Sequence, residues 1–416
     1  MTIAVVVFLL TYMGVALGEI PGLALDRTGI ALLGGIAMVV SGVLNTEQAV
    51  AAVDMPTILL LFGLMVVSAQ FRLGGFYTHI ALAMTGTMDR PRLFLLALMG
   101  VSALLSAVLA NDIVCLAFTP VLCYALLSRR LNPLPFLLGL AISSNIGSAA
   151  TIIGNPQNML IGQVGHLSFG GFTLWCLPPS LAGLGAAYGL LLLLFRDAWH
   201  GPPQTAASGG PVPGDWPAYN RHQSAKGLVV TLLLVAAFLS PLPRELSALA
   251  AAAILLCSRR MKSRSMLGLV DWQLITLFCG LFVVIQGLEA TGWPERIVAA
   301  LQARGVHLAQ PYVLAAVSTA LSNLVSNVPA TMLLVRFLDP ANPVPWYVLA
   351  VSSTFAGNLI TIGSIANLIT IEQANLCGVR IGFRDHARVG IPVTLATLAA
   401  LALWMWIAQA LQIGAP

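Results

Sequence analysis

The residues able to do chemistry in this chain are few, and they sit inside apolar surroundings. Residues from about 93 to 127 and from about 311 to 338 form two apolar stretches, each interrupted midway by polar side chains. The first carries Asn111-Asp112, the second Ser322-Asn323 and Ser326-Asn327. A third group lies between Ser143 and Asn158, where Asn145, Gly154, Asn155 and Asn158 break another apolar run. A fourth, with Asn358, Gly363, Ser364 and Asn367, does the same further along. Gly154 and Pro156 weaken a helix, and bare amides are costly in an apolar medium. The simplest resolution is a helix broken near Gly154, and likewise one broken near Gly363. The free carbonyls of such a break suit a cation, and the N-terminus of its second half suits an anion. The competing reading is close helix packing by small residues, with asparagine bridging between helices.

Composition says what surrounds these groups. The chain is 58% hydrophobic and 8% charged, with a mean hydropathy of +0.91. A soluble domain carries roughly 25% charged residues, so most of this surface faces lipid. An aspartate at the centre of a membrane helix costs roughly 2.5–3.5 kcal/mol on insertion scales. Asp112 therefore needs a wet cavity, a cation or a proton, and no Lys or Arg lies near it in sequence. It reads as a coupling residue, protonated during a cycle or ligating a cation. The alternative is a structural cap on a half-helix. The net charge of +5 sits in short clusters between apolar runs, which is a topology signal and does not point to nucleic acid. The six cysteines show no CxxC spacing and no two histidines have metal-ligand spacing, so neither a metal centre nor another cofactor is expected.

The elements that hold these groups follow from run length. A hydrocarbon core of about 30 Å needs about 20 apolar residues per helix. Runs near that length occur at about 1–18, 28–44, 56–71, 134–162, 173–195, 226–240, 246–258, 271–288, 346–372 and 390–412. The fold class is an all-α polytopic membrane protein with about ten transmembrane helices. The two interrupted stretches, about 93–127 and 311–338, are re-entrant hairpins, and 134–162 and 346–372 are the broken helices. Residues 197–225, rich in Pro, Gly and Ser, read as a cytoplasmic linker between halves 1–196 and 226–416.

The halves repeat. Asp54, Gly63 and Gly75 match Asp271, Gly280 and Gly292, and 271 − 54 gives an offset of 217. Ser102, Ser106 and Asn111 match Ser318, Ser322 and Asn327 at an offset of 327 − 111 = 216. Gly154 and Asn158 match Gly363 and Asn367, where 367 − 158 gives 209. With both termini outside, Arg27, Arg72, Arg90, Arg92, Arg129, Arg130, Arg196, Arg221, Lys226, Arg259, Arg260, Lys262, Arg264, Arg380, Arg384 and Arg388 fall inside. Only Arg244, Arg296, Arg304 and Arg336 fall outside. This puts Asp54 outside and Asp271 inside, so the repeats are inverted, the arrangement of a transporter with its site where the halves meet. Glu289 then belongs to a solvated outside loop, and Arg336 snorkels outward.

Hairpin, broken helix, linker, hairpin, broken helix is the order that the ion transporter superfamily shares. That superfamily includes arsenite permeases, NhaD-type sodium/proton antiporters and divalent anion/sodium symporters, and the resemblance covers about residues 20–412. The segment Asn145-Ile146-Gly147-Ser148 through Gly154-Asn155-Pro156-Gln157-Asn158 resembles its broken fifth helix, and Gly363-Ser364-Ile365-Ala366-Asn367 its tenth. The symporters carry Ser-Asn-Thr at each hairpin tip. Here the matching residues are Ala110-Asn111-Asp112 and Ser326-Asn327-Val328, and neither threonine is present. Asp112 puts a negative charge where a carboxylate would bind, which counts against sodium-coupled dicarboxylate uptake. Ala110-Asn111-Asp112 with Leu116 and Thr119-Pro120 resembles the first hairpin of arsenite permeases. The broken fifth helix looks more like that of uncharacterised bacterial anion permeases.

The resemblance implies an elevator-type carrier of the bacterial inner membrane, compatible with a homodimer, carrying a small anion or oxyanion coupled to protons or sodium. Substrate or ion contacts are expected from Asn111, Asn145, Asn158, Ser322, Asn323, Ser326, Asn327, Asn358 and Asn367. Gly154-Asn155 and Gly363-Ser364 would line the site, and any sodium would lie near Asn111 and Asn327. The alternatives are a sodium/proton antiporter of the NhaD type and, behind it, a channel. An enzyme is not expected: there is no Walker A, Gly-x-Ser-x-Gly or His-Glu-x-x-His motif.

Overall fold

A computed structural model describes residues 2–18, 22–200, 216–303, 305, 307–308 and 310–413. Most of the expected linker, and Arg304, lie outside the described residues. The first half contains α1 (Thr2–Leu17), α2 (Arg27–Val40), α3 (Thr46–Ala52), α4 (Met55–Leu73), α5 (Phe76–Met84), α6 (Pro91–Val108), α7 (Asn111–Ser128), α8 (Pro133–Ser148), α9 (Pro156–Val164) and α10 (Phe169–Leu194). The second contains α11 (Arg221–Phe238), α12 (Arg244–Leu256), α13 (Ser263–Leu267), α14 (Trp272–Glu289), α15 (Trp293–Ala303), α16 (Pro311–Val325), α17 (Asn327–Leu334), α18 (Pro343–Ala356), α19 (Ile365–Leu376) and α20 (Phe383–Ala410). Among the described residues there is no β-strand. The chain is an all-α polytopic membrane protein. Six helices of 18–28 residues are each long and apolar enough to cross a bilayer alone. Apolar side chains face outward at their surfaces, Leu104 at 67% and Leu174 at 76% exposed, while serines and asparagines are buried among the apolar residues of the interior. Lipid in place of water accounts for that distribution.

Local chemistry sets the helix starts. Proline opens α6, α8, α9, α16 and α18, where its missing N–H costs nothing. Asp54 caps α4 by accepting from Thr57 N at 2.8 Å, and Asp271 caps α14 from Leu274 N at 2.9 Å. The short helices α3, α5, α13 and α15 escaped a reading based on run length, because they are too short to span hydrocarbon.

The two halves interlock. α2 lies on α14 and α12 lies on α4. Glycine permits each contact: a Cβ on Gly63 would meet the Ala248 backbone at 2.7 Å, and one on Gly280 would meet the Ala31 backbone at 2.6 Å. α6 packs on α8 and α16 on α18. Their buried hydroxyls pair, Ser102 with Ser143 at 2.5 Å and Ser318 with Ser352 at 3.1 Å. Across the halves, α19 packs against α7 and α8, and α17 against α9. This exchange brings the broken regions together.

Candidate functional site

Two helix pairs turn back at polar tips. α6 and α7 meet at 109–110, and α16 and α17 meet at Ser326, whose φ of 76° lies in the left-handed region that favours glycine. A non-glycine residue there costs of order 1–3 kcal/mol. Neither tip has a side-chain N-cap. Two further helices are interrupted: α8 stops at Ser148 and α9 resumes at Pro156, while α18 stops at Ala356 and α19 resumes at Ile365. The first break opens at 149, six residues before the second half-helix is capped by Asn155, so it begins earlier than the expected break near Gly154. Gly154 itself is needed because a Cβ would stand 2.7 Å from Ser148 C and 2.7 Å from its Cα.

The breaks use one device twice. Asn158 Nδ2 donates to Ser148 O at 3.1 Å and Thr151 O at 3.0 Å. Asn367 Nδ2 donates to Gly357 O at 2.7 Å and Ile360 O at 3.3 Å. Ser148 and Gly357 stand at the ends of α8 and α18, where carbonyls lack intrahelical partners, and Thr151 and Ile360 lie within the breaks. The second half-helices are capped alike, Asn155 Oδ1 accepting from Asn158 N at 2.9 Å and Ser364 Oγ from Ala366 N at 3.2 Å.

Asn145, 2% exposed on α8, is the junction between halves. Its Nδ2 donates to Asn358 Oδ1 at 2.9 Å and Asn367 Oδ1 at 3.2 Å. Its Oδ1 accepts from Ser364 Oγ at 2.9 Å and Asn111 Nδ2 at 3.3 Å. Asn327, oriented so that its amide nitrogen donates, reaches the carbonyls of Gly363 and Ser353, both at 3.1 Å.

A cavity of 30 Å³ lies at this junction, lined by Asn111, Asp112, Asn145, Asn155, Pro156, Gln157, Ser326, Asn327, Val328, Ser364 and Ile365. Apart from Asn145, each is an N-cap, first or second residue of α7, α9, α17 or α19. Four helix N-termini therefore converge on one small space, each contributing partial positive charge and unpaired N–H groups. No Lys, Arg or His is among the lining residues. Asn111 Oδ1 is buried with no hydrogen-bond partner among the described residues.

Of the residues singled out in the sequence, Asn111, Asp112, Asn145, Asn155, Ser326, Asn327 and Ser364 line the cavity. Asn158, Asn358 and Asn367 stand one hydrogen bond behind it. Gly154 and Gly363 are positions of close backbone approach. Ser322 and Asn323 do not reach the cavity: Ser322 is buried on α16, and Asn323 Nδ2 donates to Thr319 O at 3.0 Å and Ala356 O at 3.1 Å. Gln157, quoted in the broken-helix segment, and Thr354 were not among the expected site residues. Gln157 Nε2 and Asn155 Nδ2 both reach Thr354 Oγ1, at 3.4 and 3.2 Å. Gln157 was legible as a polar residue in the first turn of the half-helix, whereas Thr354 looks like any helical threonine.

Asp112 also borders a second, larger cavity of 190 Å³, which Ala110, Leu116, Pro156, Arg72 of α4 and Asp271 of α14 help to line. A cation remote in sequence thus shares a cavity with Asp112. Glu289 is the last residue of α14 and forms an ion pair with Arg336 at 3.2 Å, in place of the expected solvated loop.

Comparison with known proteins gives the family. The chain is 30% identical to the silicon efflux transporter LSI3 of Oryza sativa subsp. japonica, covering 92% of each chain. It is 30% identical to the inner membrane protein YbiR of Escherichia coli K12, over 83% of this chain and 86% of that one. The crystal structure of the Alcanivorax borkumensis YdaH transporter shares the fold, at a TM-score of 0.53 and 15% identity over 98% and 97% of the two chains. Membership of the ion transporter superfamily accords with these matches, and so does a transporter in place of an enzyme. A family model described as citrate transporter matches residues 6–356, and the chain belongs to that family, CitMHS.

Proposed function

We propose that this chain is a secondary active transporter of a small oxyacid or its anion, coupled to protons or sodium, in a bacterial inner membrane. The observation that carries the reading is the convergence of four helix N-termini on one cavity. Four carbonyls at the breaks, of the kind that would suit a cation, are occupied by Asn158 and Asn367. That favours an anion or polyhydroxy acid over the sodium/proton antiporter. Citrate would bring three carboxylates to a site whose lining has no cation to pair with them. A small hydroxylated acid needs only hydrogen bonds, which the amides and hydroxyls supply. The silicon efflux named for the rice relative supports this substrate class and an outward direction.

Asp112 is the coupling residue in this reading. It sits in the first turn of α7, where the N-terminus favours its charge. It borders both cavities, so one carboxylate faces substrate and aqueous path together. The repeats 1–196 and 226–416 are inverted, both termini lie outside, and α6–α10 with α16–α20 form the body that moves, elevator fashion, against the other helices.

The test is oxyacid resistance in a bacterial strain lacking its own exporters. Expression of the native chain should protect against arsenite or lower accumulated silicic acid, and Asp112→Asn should abolish the effect while the protein remains in the membrane. An Asp112→Asn protein that exports normally with unchanged ion dependence would remove Asp112 from coupling.

A further inference from the structure

The two faces of the molecule differ in how the proposed moving body meets the frame. On the face opposite the basic cluster Arg259, Arg260 and Lys262, polar contacts join the two. Glu289, ending α14, pairs with Arg336, which follows α17, with side chains 23% and 30% exposed. Arg244, opening α12, donates to Gly162 O at 2.7 Å and Leu167 O at 2.9 Å, at the end of α9. Gln163 Nε2 reaches Glu245 Oε2 at 3.0 Å beside them. Elsewhere the two parts pack through α5 and α7 and also line the 190 Å³ cavity between them, with Arg72 of the frame on one wall and Asp112 of the moving body on another. The Arg72 guanidinium makes no hydrogen bond or ion pair among the described residues.

Sequence position links the faces. Under the offset that matches Asp54 to Asp271, Arg72 matches Glu289, since 289 − 72 is also 217. Both stand at the ends of helices capped the same way, α4 and α14. The frame thus offers an anion at one end and a cation at the other. The anion is already paired with a cation of the moving body; the cation shares a cavity with Asp112 of that body.

Resting on the proposed function, we infer that Arg72 is a positioning residue of the transport cycle: it pairs with Asp112 when the basic face closes, as Glu289 pairs with Arg336 while the opposite face is closed. The two ion pairs alternate. Each conformation is held by one of them, and the carboxylate beside the substrate is neutralised by Arg72 only after the site has moved. Asp271 shares the cavity and repels Asp112 in the state described, which favours departure toward Arg72.

The test reads access to the cavity. Leu116→Cys is placed in a chain with Cys257 and Cys279 replaced by serine, and its labelling by a membrane-impermeant maleimide is timed in vesicles of both orientations. In this parent, labelling should be faster from the basic face. Glu289→Arg or Arg336→Glu should slow it by about three-fold or more, the change produced by losing an ion pair of about 0.7 kcal/mol. The double exchange E289R/R336E should restore the parent rate. Arg72→Glu added to Glu289→Arg should also restore it, because the competing state has then lost its own pair; Arg72→Lys should not. Failure of both restorations overturns the inference. A parent that labels equally from both faces under every imposed sodium or proton gradient would overturn alternating access itself, a separate result.

Discussion

At the residue scale, Asn145 bears the most. All of its side-chain hydrogen-bonding contacts are to other site residues from both halves. Asn145→Ala would strand four buried groups, Asn358 Oδ1, Asn367 Oδ1, the Ser364 hydroxyl proton and Asn111 Nδ2. Each stranded group costs about 1–3 kcal/mol, so we expect a large drop in the thermal midpoint of the detergent-purified protein together with loss of transport. Asn158→Ala and Asn367→Ala should each cost less, since each frees only two carbonyls, and their effects should be similar because their contacts are alike. Comparing the three midpoints checks the ranking; a milder Asn145 variant would contradict it. Asn111, Asp112, Asn155, Ser326 and Asn327 were legible from sequence because polar side chains inside apolar runs have few bland explanations. Ser322 and Asn323 misled for the same reason: Asn323 bonds carbonyls of α16 and its neighbour, Ser322 is buried on α16, and neither lines the cavity. Arg72 could not be found, since nothing local in the sequence brings α4 to α7.

At the element scale, backbone closeness holds the frame. Gly63→Ala and Gly280→Ala would force Cβ atoms into the backbone of Ala248 and Ala31. Overpacking of this kind costs about 1–3 kcal/mol. Gly100→Ala in α6 meets nothing within 4 Å and should be neutral or stabilising by about 0.5–1 kcal/mol. Thermal unfolding of the three variants tests whether α4–α12 and α2–α14 are the interlocking contacts. Run length located most of the long helices within a few residues, and the hairpin bounds of about 93–127 and 311–338 fall close to the observed 91–128 and 311–337. α20 begins earlier than its apolar run because Arg384, Asp385 and Arg388 are helical but charged. Hydropathy does not see such turns, nor the short helices that lie between spans.

At the scale of the whole molecule, the site exists only because distant segments cross. Asn111 of α7 and Asn367 of α19 meet through Asn145, across more than half the chain. A helix N-terminus alone attracts an anion weakly, by about 0.3–1 kcal/mol at an exposed position; four around one small enclosed cavity act together in a medium that screens less than bulk water. The most direct measurement is uptake into proteoliposomes of silicic acid, arsenite and citrate under separate sodium and proton gradients, with the native chain and Asp112→Asn. The account predicts gradient-driven uptake of one of the small oxyacids by the native chain, none of citrate, and no gradient dependence in the variant. Citrate uptake, or oxyacid flux that ignores both gradients, would contradict it.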